Sequence, residues 1–502
     1  MRTRKRKSDS LREIGGDALM SMRTVCRRIV LAILLLLLGT GVFVGTVGNL
    51  SHKSYFAALL AAVLLSAAVM FLGRRNTSNF SWLEEKEPLK VCLLLTLLCL
   101  VLNGTWVLLF RPVQAPDYQT FFEAASDLAS GRPLAGKDYI AMFPHILGYA
   151  AFLSVFLRIF GNSILTAALV NVFLTALSGA ILYLLCLRYN GKKAAFFAEL
   201  LWIFCPSKLL YNTMSLSEPL YTCLLQLFFL LVSEIAESCA EQERLGKAAG
   251  AGLLSGLVLA LVNAARPIGI IPVIAFLLWL LFLSDWESLR NRKKALILFS
   301  CLLLPAYFAT GSVWKSYAAA QLEQTPPSVP GYSIYVGFNP KTQGSYADED
   351  MELFQSRYFG EYNRNAEAAQ QSMLESAKER IAENKSSIPS LMIHKLGTLL
   401  GHDEGGAYYS KESMPVGQYS FWCVVSNVWY YLVCLLAAGG CLLLWKTDRK
   451  DSLMLVPLCI IGIILAQLLV EVAARYHYCL IPMLILLATS FTPRFRSVGR
   501  VR

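Results

Sequence analysis

Long apolar runs alternate with short polar gaps along the 502-residue chain. The runs at 29–48, 55–72, 89–110, 164–187, 216–236, 267–284, 295–314, 421–445 and 452–470 have about the 17–25 residues that carry a helix across a bilayer. Lipid offers no partner to a backbone N–H or C=O, so runs of this length predict helices, whose bonds close internally. A further run, 145–160, is short for a span and reads as a re-entrant or tilted element. The pattern predicts an all-α polytopic membrane protein, a helical bundle of about 12 spans.

The polar intervals are informative in two places. Beyond the 89–110 run, Pro116 and Asp117 open a short surface helix over 119–131, with Tyr118, Phe121, Phe122, Ala125 and Leu128 on its apolar face. The long interval 315–420 is rich in Gln, Glu, Ser, Tyr and Pro and is too elaborate for a mere connector. Within it, 333–339 has aromatic and β-branched character, and 363–385 reads as a solvated helix with Ala369, Met373, Ala377 and Ile381 at four-residue spacing. The more apolar 388–400 segment is expected to lie along the membrane surface.

Composition excludes a soluble protein: 56% of residues are hydrophobic and 16% charged. The net charge of +12 does not point to nucleic acid, because the basic residues sit in blocks beside the apolar runs. Those blocks lie at 2–7, 23–28, 74–75, 188–193, 290–294, 446–450 and 494–502. Positive-inside placement puts them and both termini in the cytoplasm, and puts 111–144, 215–218, 315–420 and 472–477 outside. The first run lacks a small-residue cleavage pattern and reads as an uncleaved anchor. Thirteen cysteines fall mostly within apolar runs with no Cys-x-x-Cys pair, which predicts free thiols.

The chain therefore divides into a basic cytoplasmic tail (1–28), two N-terminal spans (29–88) and a membrane core (89–314) holding a first outer loop (111–144). An extracytoplasmic loop domain (315–420) and the C-terminal spans with a basic tail (421–502) complete it. No Walker-type phosphate loop, Gly-x-Gly-x-x-Gly or nucleophile elbow occurs. An activated substrate would then arrive in the membrane.

Several short motifs together carry a resemblance. They are Ala115-Pro116-Asp117-Tyr118, Phe143-Pro144-His145, Ser217-Glu218-Pro219-Leu220 and Ala265-Arg266-Pro267, then Gly337-Phe338-Asn339, Gly344-Ser345-Tyr346 and Arg475-Tyr476-His477-Tyr478. In this order and placement the chain resembles the GT-C superfamily of polyprenyl-phosphate-sugar-dependent glycosyltransferases, particularly bacterial proteins similar to protein O-mannosyltransferases. Two extra spans precede the pattern, and Tyr118 stands where many relatives carry a second acid. The resemblance implies a polyprenyl-phosphate-linked sugar, mannose among the candidates, as donor. It also implies a lipid, glycan or protein acceptor outside the cytoplasm (in the endoplasmic reticulum lumen if the cell is eukaryotic), and inversion at the anomeric carbon.

Each candidate residue has a structural alternative. Asp117 is a general base taking a proton from the acceptor hydroxyl, or a helix N-cap. Glu218 orients the acceptor or holds a divalent metal, or simply begins a helix between Ser217 and Pro219. No set of metal ligands is assigned, and a divalent metal is the one cofactor candidate. Arg266, Arg475 and His477 form a cationic clamp on the lipid phosphate, or an interfacial belt in which Arg475 pairs with Glu471. His145 contacts sugar or phosphate, or is structural. The group His394, His402, Asp403 and Glu404 matches no metal spacing and reads as a solvated turn. The competing function is a lipid-linked-sugar flippase or other secondary transporter, for which internal symmetry and small outer loops would be expected.

Overall fold

The computed structural model describes residues 2–48, 53–75, 80–237, 244–284, 293–446 and 451–490. The predicted basic block 494–502, the 446–450 block beyond Lys446, and Arg290 to Arg292 lie outside the described residues. Every regular element among the described residues is a helix. Eight helices there are long and apolar enough to cross a membrane: Met22–Val47, Pro88–Leu109, Ile164–Asn190, Glu218–Ala236, Leu245–Ala265, Lys293–Leu322, Val416–Lys446 and Ser452–Leu469. Ser54–Val69, His145–Phe160, Ile270–Leu283 and Leu480–Thr489 are apolar but shorter.

The helical bundle is the one the pattern predicts, its eight long helices accompanied among the described residues by these four shorter apolar ones. His145–Phe160 is one of them, and it packs on the Pro116–Ala129 helix. Asn162 Nδ2 donates to Ser126 Oγ at 2.6 Å, and Arg158 Nη2 to Leu128 O at 2.9 Å, so the C-terminal ends of the two helices are tied together.

Ile164–Asn190 and Glu218–Glu237 pack together centrally, and their apolar windows are mostly buried. Pro88–Leu109 and Lys293–Leu322 are peripheral, with Leu93, Leu94, Leu109, Phe308 and Val313 exposed as a lipid-facing surface requires. The N-terminal helix Arg2–Val47 packs against Ile388–Leu400. In the latter, Leu391, Lys395, Leu396, Leu399 and Leu400 are buried.

The crossing is a pair of small-residue motifs, Gly41-x-x-x-Gly45 against Gly397-x-x-x-Gly401. A Cβ on Gly45 would fall 2.3 Å from Gly401 Cα, and one on Gly41 would fall 2.6 Å from Leu400 Cβ. Only glycine permits that approach. Gly45→Leu or Gly401→Leu is expected to cost about 1–3 kcal/mol by overpacking and to lower the thermal midpoint of the purified protein. An unchanged midpoint in both variants would show that the two helices can part freely.

The 111–144 and 315–420 loops form a layer with a core of their own: Met142 from the first loop with Tyr332, Val336, Met351, Phe354, Tyr358, Ala366, Ala369 and Met373 from the second. The predicted amphipathic helix is present as Ala366–Glu383, capped by the Asn365 side chain. Gly331–Gly337, despite its β-branched residues, is helical because Tyr332 and Val336 face this core. Gln370 Nε2 donates to Met142 O at 3.1 Å and Tyr358 OH to Asp138 Oδ1 at 3.0 Å, joining the two loops.

Candidate functional site

Local sequence explains the start of the Pro116–Ala129 helix, where Pro116 is preorganised for the first turn. Ala115 occupies the N-cap with no side-chain bond, so the Asp117 carboxylate does not cap this helix. It reaches across the fold instead. Arg475 Nη2 donates to Asp117 Oδ2 at 2.8 Å, and Arg475 Nη1 donates to Tyr118 OH at 3.3 Å. Arg475 Nε lies 4.0 Å from Glu218 Oε1, too far for a hydrogen bond, and that buried N–H has no partner. The Arg475 side chain is 11% exposed and the Asp117 side chain 46%. The cation is therefore enclosed, while one of its two carboxylate neighbours remains open.

Arg475 sits in the Ala474–His477 turn before the helix Leu480–Thr489. Its guanidinium is ringed by Tyr118, Tyr409 and Tyr476, at 5.5, 5.5 and 5.6 Å from the ring centroids. Arg266 follows the end of the Arg244–Ala265 helix and lies over the Tyr476 ring at 4.1 Å. Two guanidinium groups thus share one tyrosine, and Glu218 acts electrostatically on both. Glu218 is the first residue of Glu218–Glu237 and is buried at 3% exposure.

His145 opens the helix His145–Phe160 and feels both Arg266 and Arg475. Its position depends on a close approach: a Cβ on Gly148 would lie 2.0 Å from Ala264 O, so this helix meets the end of Arg244–Ala265 directly. Five of the six candidates from the sequence (Asp117, Glu218, His145, Arg266 and Arg475) therefore converge.

His477 does not join them as a phosphate ligand. Its ring is 2% exposed, Nδ1 is 2.8 Å from Leu399 O, and Nε2 is 3.2 Å from Asp403 Oδ1. Asp403 also accepts from Ser207 Oγ and is 1% exposed, which corrects the reading of that group as a solvated turn. The histidine and Asp403 instead brace the turn that carries Arg475. Glu404 accepts from Tyr55 OH at 2.6 Å, docking the second N-terminal helix, while His394 is exposed.

Two residues had no functional sequence signal of their own. Glu471 lies beside Arg475, Arg266 and Asp117, and burial pushes its carboxyl up from the usual range against the pull of those arginines. Lys395 donates to Gly337 O, Leu468 O and Val470 O at 2.8, 2.7 and 2.6 Å. Burial pushes its ammonium down to about 7, while three carbonyl acceptors oppose that shift by favouring the charged form. Lys395 thus clamps the Gly337-Phe338-Asn339 motif onto the segment that leads to Arg475. Glu471 N donating to Ser333 O, and Val472 N to Gly344 O, at 2.7 and 2.9 Å, complete that junction.

Among the described residues no three His, Cys, Asp or Glu side chains gather in a way that would hold a metal ion. The described cysteines are free thiols.

The fold and site define a class, a multi-pass helical membrane protein with a mixed carboxylate and arginine cluster beside the 111–144 and 315–420 loops. A family model described as dolichyl-phosphate-mannose-protein mannosyltransferase matches residues 144–314. Over that part of its length the chain is similar to this GT-C glycosyltransferase family, and the match takes in His145, Glu218 and Arg266. Among solved structures, ArnT from Cupriavidus metallidurans bound to undecaprenyl phosphate is 12% identical, with 80% of this chain and 77% of that chain covered and a TM-score of 0.34. The apo state of the same protein is 11% identical with the same coverage and a TM-score of 0.35. No curated protein matches the sequence.

Proposed function

We propose that the protein is an integral-membrane glycosyltransferase that moves a sugar from a polyprenyl-phosphate carrier to an acceptor outside the cytoplasm. The observation that carries this reading is Arg475: an enclosed guanidinium with one buried N–H unpartnered, beside a second arginine and next to the partly open Asp117. A phosphate fits such a pair through parallel charge-assisted hydrogen bonds. The family match over 144–314, whose description names a dolichyl-phosphate sugar, supports the donor class.

In this reading the acceptor hydroxyl oxygen forms a bond to the anomeric carbon while the bond from that carbon to the phosphate oxygen breaks. Asp117 takes the hydroxyl proton, and the electron pair leaves with the polyprenyl phosphate, whose charge Arg266 and Arg475 neutralise. A single displacement inverts the anomeric centre. Arg475 has a second part: a phosphate that engages the guanidinium competes with Asp117 for it, freeing the carboxylate to act as base when the donor is bound. Glu218 orients the acceptor, and His145 contacts the sugar or phosphate.

The test is a transfer assay in oriented proteoliposomes with a panel of polyprenyl-phosphate sugars, mannose first. Transfer is expected only with acceptor on the face that carries Lys341 and Lys411. Movement of the lipid-linked sugar across the bilayer without any transfer would favour a carrier and overturn this function.

A further inference from the structure

On the side of Asp117 formed by the two outer loops, three tyrosines converge from separate parts of the chain. Tyr139 comes from the first outer loop, and Tyr332 and Tyr346 come from the loop domain. Asp117, Glu471 and Arg475 act electrostatically on the Tyr139 hydroxyl, and Asp348, Glu471 and Asp117 on that of Tyr346. Tyr332 faces Glu471, Tyr346 and Tyr139. Geometry joins them: Tyr139 and Tyr332 both pack on the Phe143 ring, at 5.0 and 5.5 Å, and the bonds from Glu471 N to Ser333 O and from Val472 N to Gly344 O hold Glu471 beside the segments that carry Tyr332 and Tyr346.

Their exposures differ in a way that suits a binding site. Tyr346 is 52% exposed and Tyr139 38%, so both present ring surface outward although each is a large aromatic group. Tyr332 is 2% exposed, with its ring stacked on Phe354 at 5.0 Å and edge-on to Phe143 at 5.5 Å. Yet its hydroxyl is buried with no hydrogen-bond partner. An unmatched buried hydroxyl costs free energy unless something completes it.

Charge narrows the ligand. Three carboxylates, Asp348, Glu471 and Asp117, act on Tyr346, while Arg475, which also acts on Tyr139, is already paired with Asp117. An anionic acceptor would meet acids on arrival. A neutral polyhydroxy ligand would not, because its hydroxyls donate to carboxylates and tyrosine oxygens. Its apolar C–H face would also cover exposed aromatic rings.

We infer that Tyr139, Tyr332 and Tyr346, with Glu471, form an acceptor subsite for a neutral carbohydrate, reached from the aqueous side of the outer loops. This rests on the transferase reading for its role, since the saccharide hydroxyl would be the group that Asp117 deprotonates, but its occupancy can be measured without turnover. Tyr139 and Tyr346 act as stacking platforms, and Tyr332 fixes the orientation of the sugar through its hydroxyl.

The full-length protein in nanodiscs, probed by saturation-transfer NMR with maltose, cellobiose and mannobiose, tests the assignment. At least one disaccharide is expected to bind, with a roughly tenfold loss in Tyr139→Ala and in Tyr346→Ala. Tyr139→Phe keeps the ring and should bind as the parent does. Tyr332→Phe removes the hydroxyl alone and should weaken binding severalfold. Because Tyr139 and Tyr346 are exposed, their alanine variants are expected to fold, and an unchanged melting midpoint would confirm it. Binding that is equal in the alanine variants, or displaced by a serine- and threonine-containing peptide and not by saccharides, would overturn the subsite. Failure of the transferase reading looks different: saccharides would bind with the expected variant pattern, while no polyprenyl-phosphate sugar is consumed. Sugar transfer confined to a non-carbohydrate acceptor, with its KM unchanged in Tyr139→Ala, would retain the transferase and remove the subsite.

Discussion

Asp117→Asn is expected to leave the protein folded and to lower the transfer rate by at least about two orders of magnitude. The helix that begins at Pro116 does not depend on the Asp117 side chain, since Ala115 is its N-cap and no side-chain cap bond exists. Asparagine still offers an oxygen to Arg475 Nη2, which bonds Asp117 Oδ2 at 2.8 Å. The lost ion pair is discounted because the Asp117 side chain is 46% exposed, and pairs of this type contribute about 0–1 kcal/mol. What asparagine cannot do is accept a proton. Thermal unfolding and single-turnover transfer on the same preparation separate the two effects. Glu218→Gln should fall less if Glu218 only orients the acceptor. Near-parental transfer by a well-folded Asp117→Asn protein would remove the base assignment.

The second large effect is at Arg475. Arg475→Ala is expected to reduce transfer by about 10²–10³, the scale of losing a preorganised stabiliser of a developing oxyanion. Arg475→Lys should recover only part of this. An ammonium on a flexible stem is a point charge, whereas the guanidinium spans Asp117 and Tyr118 with one edge and keeps Nε for another partner. Removing the cation also leaves the enclosed Glu218 without its nearest positive charge, so the alanine variant risks unfolding. The lysine variant keeps that charge and decides the matter. If Arg475→Lys folds and shows parental donor kinetics, the guanidinium does not hold the phosphate. Arg266→Ala is expected to weaken donor use in the same sense.

The contrast between elements that were legible in the sequence and those that were not follows from the range of the interactions involved. The Pro116–Ala129 helix was readable because Pro116 and the apolar spacing of Tyr118, Phe121, Ala125 and Leu128 are local. Ala366–Glu383 was readable for the same reason, with Ala369, Met373 and Ala377 buried on one face. Gly331–Gly337 was not, since its β-branched and aromatic composition was overruled by packing against Phe354 and Met373. Asp403 looked solvated because its neighbours in sequence are polar. Its partners, Ser207 and His477, are 196 and 74 residues away. His477 was misassigned for the same reason, as an interfacial motif does not disclose that both ring nitrogens already face other groups.

By itself the sequence determined that this is a helical membrane protein. A run of apolar residues long enough to span lipid has one way to satisfy its own backbone, and that constraint needs no tertiary information. The sequence also supplied the acids and arginines worth watching, because a charge set among apolar residues is costly and needs a reason to be there. Tertiary structure decided which of them meet. Asp117, Glu218 and Arg475 are drawn from three distant segments, and their proximity depends on how the helices between them cross. The glycine contact of Gly148 with Ala264, the Lys395 clamp on the Arg475 segment and the packing of Tyr139 and Tyr332 on Phe143 depend on the same crossings. Backbone satisfaction in lipid is a local rule and can be read along the chain, whereas a site is a set of long-range coincidences that only packing creates.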